Sequence, residues 1–388
     1  MTAAYDVIVL GLGAMGSSAA YQLAKRGVRV LGIEQFAPAH ELGSSGGLSR
    51  IIRLAYFEHP DYVPMLKAAW ALWPQIEAEA ATDLLKVTGG LYVGREGSAV
   101  LDGSRRSALE HGLAHEVLNV DEMRVRFPQL VLDDDMAALH EPLAGALFPE
   151  KCIAAHLSLA QQHGATLNFG ERVSAWSSDG GGVSVTTDKG TYAGAKLVIA
   201  AGAWLPALAP NLDLPLTVER NSLYWYEPAA TPEIFEAERF PVWIMELNGE
   251  HAFYGFPRLP NQGVKVARHH GGGTVDANMV DRSASDEDER PVRDFISRYM
   301  PALNGRRLDS RVCMYTNTSD FNFILDFHPE ADNVVIASPC SGHGFKFSSV
   351  IGSIVADLAT TGRTHFEIEF LSVGRFFAGL GESANRHI

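Results

Sequence analysis

Residues 6–35 read DVIVLGLGAMGSSAAYQLAKRGVRVLGIEQ, the order of a strand, a turn, a helix and a second strand. The apolar run at 7–10 enters Gly11-x-Gly13-x-x-Gly16. Ala19, Ala20, Leu23 and Ala24 then fall on one helical face, Gly27 stops the helix, and a strand over 28–33 ends at Glu34. In a dinucleotide-binding βαβ unit each glycine has its own task. Gly11 makes the tight turn, Gly13 lets the backbone approach a pyrophosphate, and Gly16 lets helix and strand pack closely. The helix start offers unpaired N–H groups and a partial positive charge to the phosphates. Glu34, eighteen residues beyond Gly16, can accept hydrogen bonds from a ribose diol and would repel a 2′-phosphate. The fold expected is α/β with a Rossmann-type nucleotide domain. The unit leaves open whether the ligand is FAD or NAD.

Working outward, a helix is predicted over 61–80, with Leu66, Trp70, Trp73 and Ile76 at helical spacing. A strand follows at 87–94, a polar helical stretch at 101–130, a helix at 152–163 and a strand at 165–169. An antiparallel pair at 183–188 and 191–192 flanks Lys189-Gly190. The run KLVIAAGAW at 196–204 is a second buried strand running into a glycine, Gly202, as expected where a doubly wound sheet closes on a dinucleotide. β-like runs recur at 223–226, 242–246 and 252–256. A charged amphipathic helix is predicted at 286–299, then a strand at 334–337, a Gly-rich turn and a long helix at 347–359. This order predicts a discontinuous nucleotide domain from 1–86, 145–214 and 310–388. A β-sheet-based substrate domain from 87–144 and 215–309 interrupts it. The aromatic runs Leu223-Tyr224-Trp225-Tyr226 and Trp243-Ile244-Met245-Glu246 read either as sheet packing or as the lining of a pocket for a bulky substrate.

A chain of 388 residues with 46% apolar and 20% charged residues is the composition of a soluble two-domain enzyme. A net charge of −14 without a Lys/Arg-rich run argues against nucleic acid or an anionic membrane as partner. No apolar run is long enough to span a bilayer, and a first strand starting near residue 6 leaves no room for a signal peptide. Three scattered cysteines (Cys152, Cys313, Cys340) suit a reducing cytoplasm. Gly43-x-Ser45-x-Gly47 lacks the preceding strand that a nucleophile elbow requires. His269 and His270 are adjacent and so expected on opposite faces of a strand, and no metal site is expected.

Two later segments can carry chemistry. Arg311-Val312-Cys313-Met314-Tyr315-Thr316-Asn317-Thr318 sets a thiol beside aromatic and hydroxyl groups. Ser341-Gly342-His343-Gly344-Phe345-Lys346-Phe347-Ser348-Ser349 bends the chain where a strand meets a long helix and adds a cation there. On the residues alone Lys346 reads equally as an anion ligand or a surface lysine.

These segments, with GSxxGxxRIIRxAY at 43–56 and FYGFP at 253–257, resemble the monomeric sarcosine oxidase family, relatives of which include N-methyltryptophan oxidase and pipecolate oxidase. The similarity runs end to end, in order and at matching spacing. It implies a glutathione-reductase-like FAD domain beside a β-sheet catalytic domain, acting as a cytoplasmic monomer. It implies FAD, tethered as an 8α-S-cysteinyl thioether to Cys313. The FAD would contact Gly11, Gly13, Ala14, Met15, Gly16, Glu34, Ser44, Arg50, Val173 and Gly202, then Gly342, Gly344, Phe345 and Lys346. Arg53 and Lys346 would clamp a substrate carboxylate, as a bidentate fork and a point charge. Lys265, with Arg50 near it, would be the cation that favours electron transfer to O₂. At ~4 Å and an effective dielectric near 20, such an attraction is about 4 kcal/mol. His269 and Tyr254 would serve the reaction, and Tyr315 and His343 would line the substrate cavity. The implied activity is oxidation of a secondary amino acid, N-methyl or cyclic, by hydride transfer to FAD, imine hydrolysis and release of hydrogen peroxide. The alternative is a dehydrogenase on the same fold that passes electrons to a carrier. The family often carries a His-His pair after Gly-Ser in the arginine loop, whereas here the chain reads Ser44-Ser45-Gly46-Gly47-Leu48.

Overall fold

Parallel pairing of Tyr5–Leu10 with both Val30–Ile33 and Thr191–Ile199 forms the centre of the first sheet. Thr166–Asn168 extends it beyond Val30–Ile33, and Ala331–Ala337 beyond Thr191–Ile199, both parallel. Leu325–His328 closes that second edge antiparallel. A hairpin of Val173–Ser178 and Val183–Thr187 pairs with the early part of Thr191–Ile199. The structure, a computed structural model, describes residues 4–377 apart from 180, 250 and 339.

Three helices cover one face of this sheet: Ala14–Lys25, Pro149–Gln162 and Ser348–Thr361. The apolar face of the first, including Ala19, Ala20 and Leu23, is fully buried against the other two. The sequence prediction of 347–359 therefore matches the observed helix within two residues at each end. Closeness of the first helix to the sheet depends on Gly16. A Cβ there would lie 1.8 Å from the Gly11 carbonyl oxygen.

The second sheet runs in the order Arg307–Thr318, Leu216–Tyr226, Val264–His269, Ala252–Phe256, Val242–Glu246, Gly90–Arg95, Met136–Glu141, Glu116–Leu118. The strand Arg307–Thr318 pairs with Leu216–Tyr226 along its full length, so the boundary expected at 310 falls inside a strand of this sheet. A small third sheet joins Arg50–Ile52, Gly145–Leu147 and Leu85–Val87, so the boundary expected at 86 also cuts a strand.

One expectation needs correction, and one open alternative is decided. The stretch 101–130 is not continuously helical: it holds Ala99–Glu110, Glu116–Leu118 and Val120–Arg126. Gly112 takes a positive φ that ends the first helix, and Asn119 with Glu122 forms a capping box that starts the next. The aromatic runs are packing. Tyr224, Tyr226, Trp243 and Met245 are buried beneath the helix Asp286–Tyr299, where Trp243 stacks on Phe295 with rings 5.5 Å apart. Of the run 243–246, Ile244 faces the central cavity. Glu246 instead accepts from the Val100 amide, 2.8 Å away, at the start of a helix.

Candidate active site

A long cavity runs from the glycine turn to the second sheet. Its reach from the nucleotide turn to the second sheet suits a dinucleotide with a substrate beside it. Gly11, Gly13, Ala14, Met15, Glu34, Ser44, Val173 and Gly202 line its nucleotide end. Gly13 caps the first helix with no side-chain hydrogen bond, leaving the first-turn N–H groups for a ligand. Gly11 sits at φ +84°, and a Cβ there would meet the Ala200 oxygen at 2.6 Å. The buried Ser44 hydroxyl has no hydrogen-bond partner among the described residues. Glu34 accepts from the amides of Leu12 (2.8 Å) and Phe36 (3.0 Å), with His40 3.5 Å away. Burial pushes its carboxyl up, but His40 and the two amides outweigh this and hold it low. Oε2, bonded to the Leu12 amide alone, keeps a lone pair for a ribose hydroxyl. These residues fit FAD.

The reactive end is built from the strands Arg50–Ile52, Ala252–Phe256, Val264–His269 and Arg307–Thr318 and the bend at 341–346. Arg50 lies in the cavity wall and donates to the carbonyls of Ser49 and Ser44 at 2.8 and 3.1 Å, and to that of Gly46. Lys265 and Cys313 lie one layer behind the wall, 1% and 2% exposed. The Lys265 ammonium donates to Gly47 O (2.8 Å), Ser49 O (3.0 Å) and Ser49 Oγ (3.3 Å), and lies over the rings of Trp225 and Phe256. Burial, then Arg50, pushes its pKa well down. Burial raises that of the Cys313 thiol, against the pull of Arg50, Lys265 and Arg282.

Arg53 is 2% exposed. Its Nη2 donates to both Glu58 carboxylate oxygens at 2.5 and 2.6 Å, and its Nη1 to Ala55 O at 3.0 Å. The guanidinium carbon sits 4.2 and 4.3 Å from the ring centroids of Tyr56 and Phe57. Lys346 donates to His343 O at 2.6 Å. Burial and Arg53 push its pKa down to about 7, with Glu58 pulling the other way. Gly342 and Gly344 allow this bend: a Cβ on Gly342 would strike the Tyr315 ring and one on Gly344 the Cys340 side chain. Phe345 completes the wall.

His343 must donate from Nε2, because its partner is the Phe321 carbonyl (2.9 Å), so Nδ1 accepts from the Tyr56 hydroxyl. Burial lowers its pKa to about 4. His269 is likewise held neutral by burial and by the nearby His270, His343, Arg53 and Lys346. Its ring meets Tyr254 edge-on and its Nδ1 lies 3.5 Å from the Tyr315 hydroxyl. The two histidine rings are not on opposite faces as expected. His270 adopts φ +62°, which breaks the strand alternation and sets the rings 4.2 Å apart, with His270 Nδ1 3.0 Å from Glu219. Among the described residues no group of three or more His, Cys, Asp or Glu could hold a metal ion. No described helix is long and apolar enough to cross a membrane.

The sequence reading missed Glu58, which occupies the Arg53 fork, and Glu141, which lies behind it.

A glycine cradle for a dinucleotide opening onto cations and neutral imidazoles defines a nucleotide-dependent redox enzyme. The chain belongs to the FAD dependent oxidoreductase family, whose pattern it matches over residues 6–358. It is 43% identical over 381 residues to the monomeric sarcosine oxidase of Streptomyces avermitilis, covering 97% of this chain and 99% of that one. It is 34% identical over 374 residues to the N-methyl-L-tryptophan oxidase of Yersinia pseudotuberculosis, covering 96% and 99%. Among solved structures it is similar to NikD, an unusual amino acid oxidase essential for nikkomycin biosynthesis. There the TM-score is 0.83 and the identity 26%, over 96% of this chain and 98% of that one. The L-proline dehydrogenase of P. horikoshii shares the fold at TM-score 0.83 and 23% identity, over 98% and 99%.

Proposed function

We propose that this chain is a flavin-dependent oxidase of secondary amino acids, N-methyl or cyclic. In this reading FAD is held covalently on Cys313, hydrogen peroxide is released, and the enzyme is a cytoplasmic monomer. The observation that carries the reading is the pairing of Arg53 with Glu58. Both carboxylate oxygens sit on the guanidinium at the cavity wall, so the site already takes a carboxylate in its own structure. A substrate carboxylate exchanging with Glu58 gains the same Nη2 donor and the nearby Lys346 ammonium.

Bound in the cradle, FAD supplies the hydride acceptor and the route of the electrons to O₂. The chain's residues do the rest. Arg53 and Lys346 anchor the amino acid, and their charge lowers the pKa of its ammonium, favouring the neutral amine. That form is needed because its lone pair stabilises the cation that develops as hydride leaves. His269, neutral and at the wall, can accept a hydrogen bond from the amine N–H and orient it. The imine product hydrolyses to an aldehyde and a primary amino acid when the lost hydride came from an N-methyl group. Lys265, buried among carbonyl oxygens, supports oxygen over a protein carrier as the oxidant, because reduction of O₂ begins by creating an anion.

The test is a screen of peroxide release from sarcosine, N-methyltryptophan, pipecolate and proline. Peroxide equal to the oxygen consumed with at least one of them supports the proposal. Flavin bleaching without peroxide would favour the carrier-linked dehydrogenase, and no bleaching by any of them would end the amino acid reading.

A further inference from the structure

Glu141 is 1% exposed at the end of the strand Met136–Glu141 and makes no hydrogen bond to a cation. A buried carboxylate is costly, and for packing alone an apolar side chain of similar volume serves as well or better. Burial pushes this carboxyl up to about 7, against the pull of Tyr92, the Ala55 amide and Arg53. Its partners show what it does. Oε1 accepts from the Leu54 amide (3.1 Å) and from the Tyr92 hydroxyl; Oε2 accepts from the Ala55 amide (2.9 Å). Leu54 and Ala55 directly follow Arg53, and the Ala55 carbonyl takes the Arg53 Nη1 hydrogen bond at 3.0 Å. Tyr92 belongs to the neighbouring strand Gly90–Arg95, in register with Leu139. The carboxylate thus ties the backbone carrying the guanidinium to the second sheet, through donors that no other side-chain acceptor among the described residues takes up.

From this arrangement we infer that Glu141 is a positioning residue that aims Arg53 at the substrate carboxylate. The inference rests on the carboxylate-binding role proposed above for Arg53. When the substrate displaces Glu58, the Nη2 contact changes partner while the Nη1 contact to Ala55 O stays. Glu141 fixes that constant point. It does not line the cavity.

Charge and position predict opposite signs for Glu141→Gln. Removing an anion beside Arg53 strengthens the local positive potential and would tighten carboxylate binding. Releasing the Leu54–Ala55 peptide misaims the fork and weakens it. A glutamine offers one acceptor oxygen where the carboxylate offers two, so one of three donors is lost or reversed.

The experiment uses flavin-loaded wild type and Glu141→Gln, normalised to bound flavin. It measures KM and kcat for the best secondary amino acid, Kd of a carboxylate inhibitor from the flavin difference spectrum, and turnover of a secondary amine lacking a carboxylate. The expected result is a KM and Kd raised about tenfold with kcat changed less than threefold. The kcat/KM ratio of amino acid to carboxylate-free amine should fall accordingly. An unchanged or lowered KM in folded, flavin-loaded Glu141→Gln overturns the inference, as does an equal loss on both substrates. Where Glu141→Gln does not load flavin, Tyr92→Phe replaces it: a Kd raised about threefold supports the role and an unchanged Kd overturns it. Absence of any wild-type turnover would instead remove the reading on which the inference rests.

Discussion

Glu58 grips Arg53 through both carboxylate oxygens, 2.5 and 2.6 Å from one guanidinium nitrogen. The internal carboxylate is a competitor for the substrate's. Charge-assisted hydrogen bonds of this kind contribute roughly 1.5–3 kcal/mol, and the incoming ligand must replace them. Glu58→Gln weakens the competitor while keeping its shape. Kd for a carboxylate inhibitor should fall about tenfold below pH 7, read from the flavin spectrum. An unchanged Kd would show that Glu58 stays in place when ligand binds.

Lys346 makes that binding pH-dependent. Burial and Arg53 lower its pKa to about 7, so the free enzyme carries the ammonium below that pH and loses it above. Affinity for a carboxylate inhibitor without its own titrating amine should weaken as pH rises from 6 to 9. Lys346→Met should bind weakly throughout and lose that alkaline dependence.

Lys265 is the test of the oxidant. Lys265→Met keeps the long apolar stem over Trp225 and Phe256 but removes the ammonium. Stopped-flow measurement should show anaerobic flavin reduction within about threefold of wild type. Reoxidation by O₂ should slow by roughly a thousandfold, the equivalent of about 4 kcal/mol.

Cys313 is buried beside Arg50, Lys265 and Arg282, cations that oppose the effect of burial and favour the thiolate a thioether requires. Acid precipitation of wild type should leave the yellow colour in the pellet, whereas Cys313→Ser should release it to the supernatant. Colour released from wild type would disprove the covalent link.

The nucleotide half of the fold was legible because its determinants are local: three glycines, one helical face and Glu34 all lie between residues 11 and 34. The aromatic strands were ambiguous because alternation marks two faces, both buried here, without saying which packs under a helix. That choice is made by the helix Asp286–Tyr299, far away in sequence. Glu141 was invisible for the same reason, since its partners Leu54 and Ala55 lie 87 and 86 residues away. His270 was misjudged because a left-handed φ leaves no mark of its own on the sequence. The Gly271-Gly272-Gly273 run was the available sign that the strand ends irregularly there.

The interleaving of the first sheet has a consequence for biosynthesis. Tyr5–Leu10 leaves the ribosome first, yet the sheet it centres is completed only by Ala331–Ala337 and roofed by Ser348–Thr361. A nascent chain therefore carries an unfinished cradle until residues 331–361 have been made, and a dinucleotide meets the finished site only after that point.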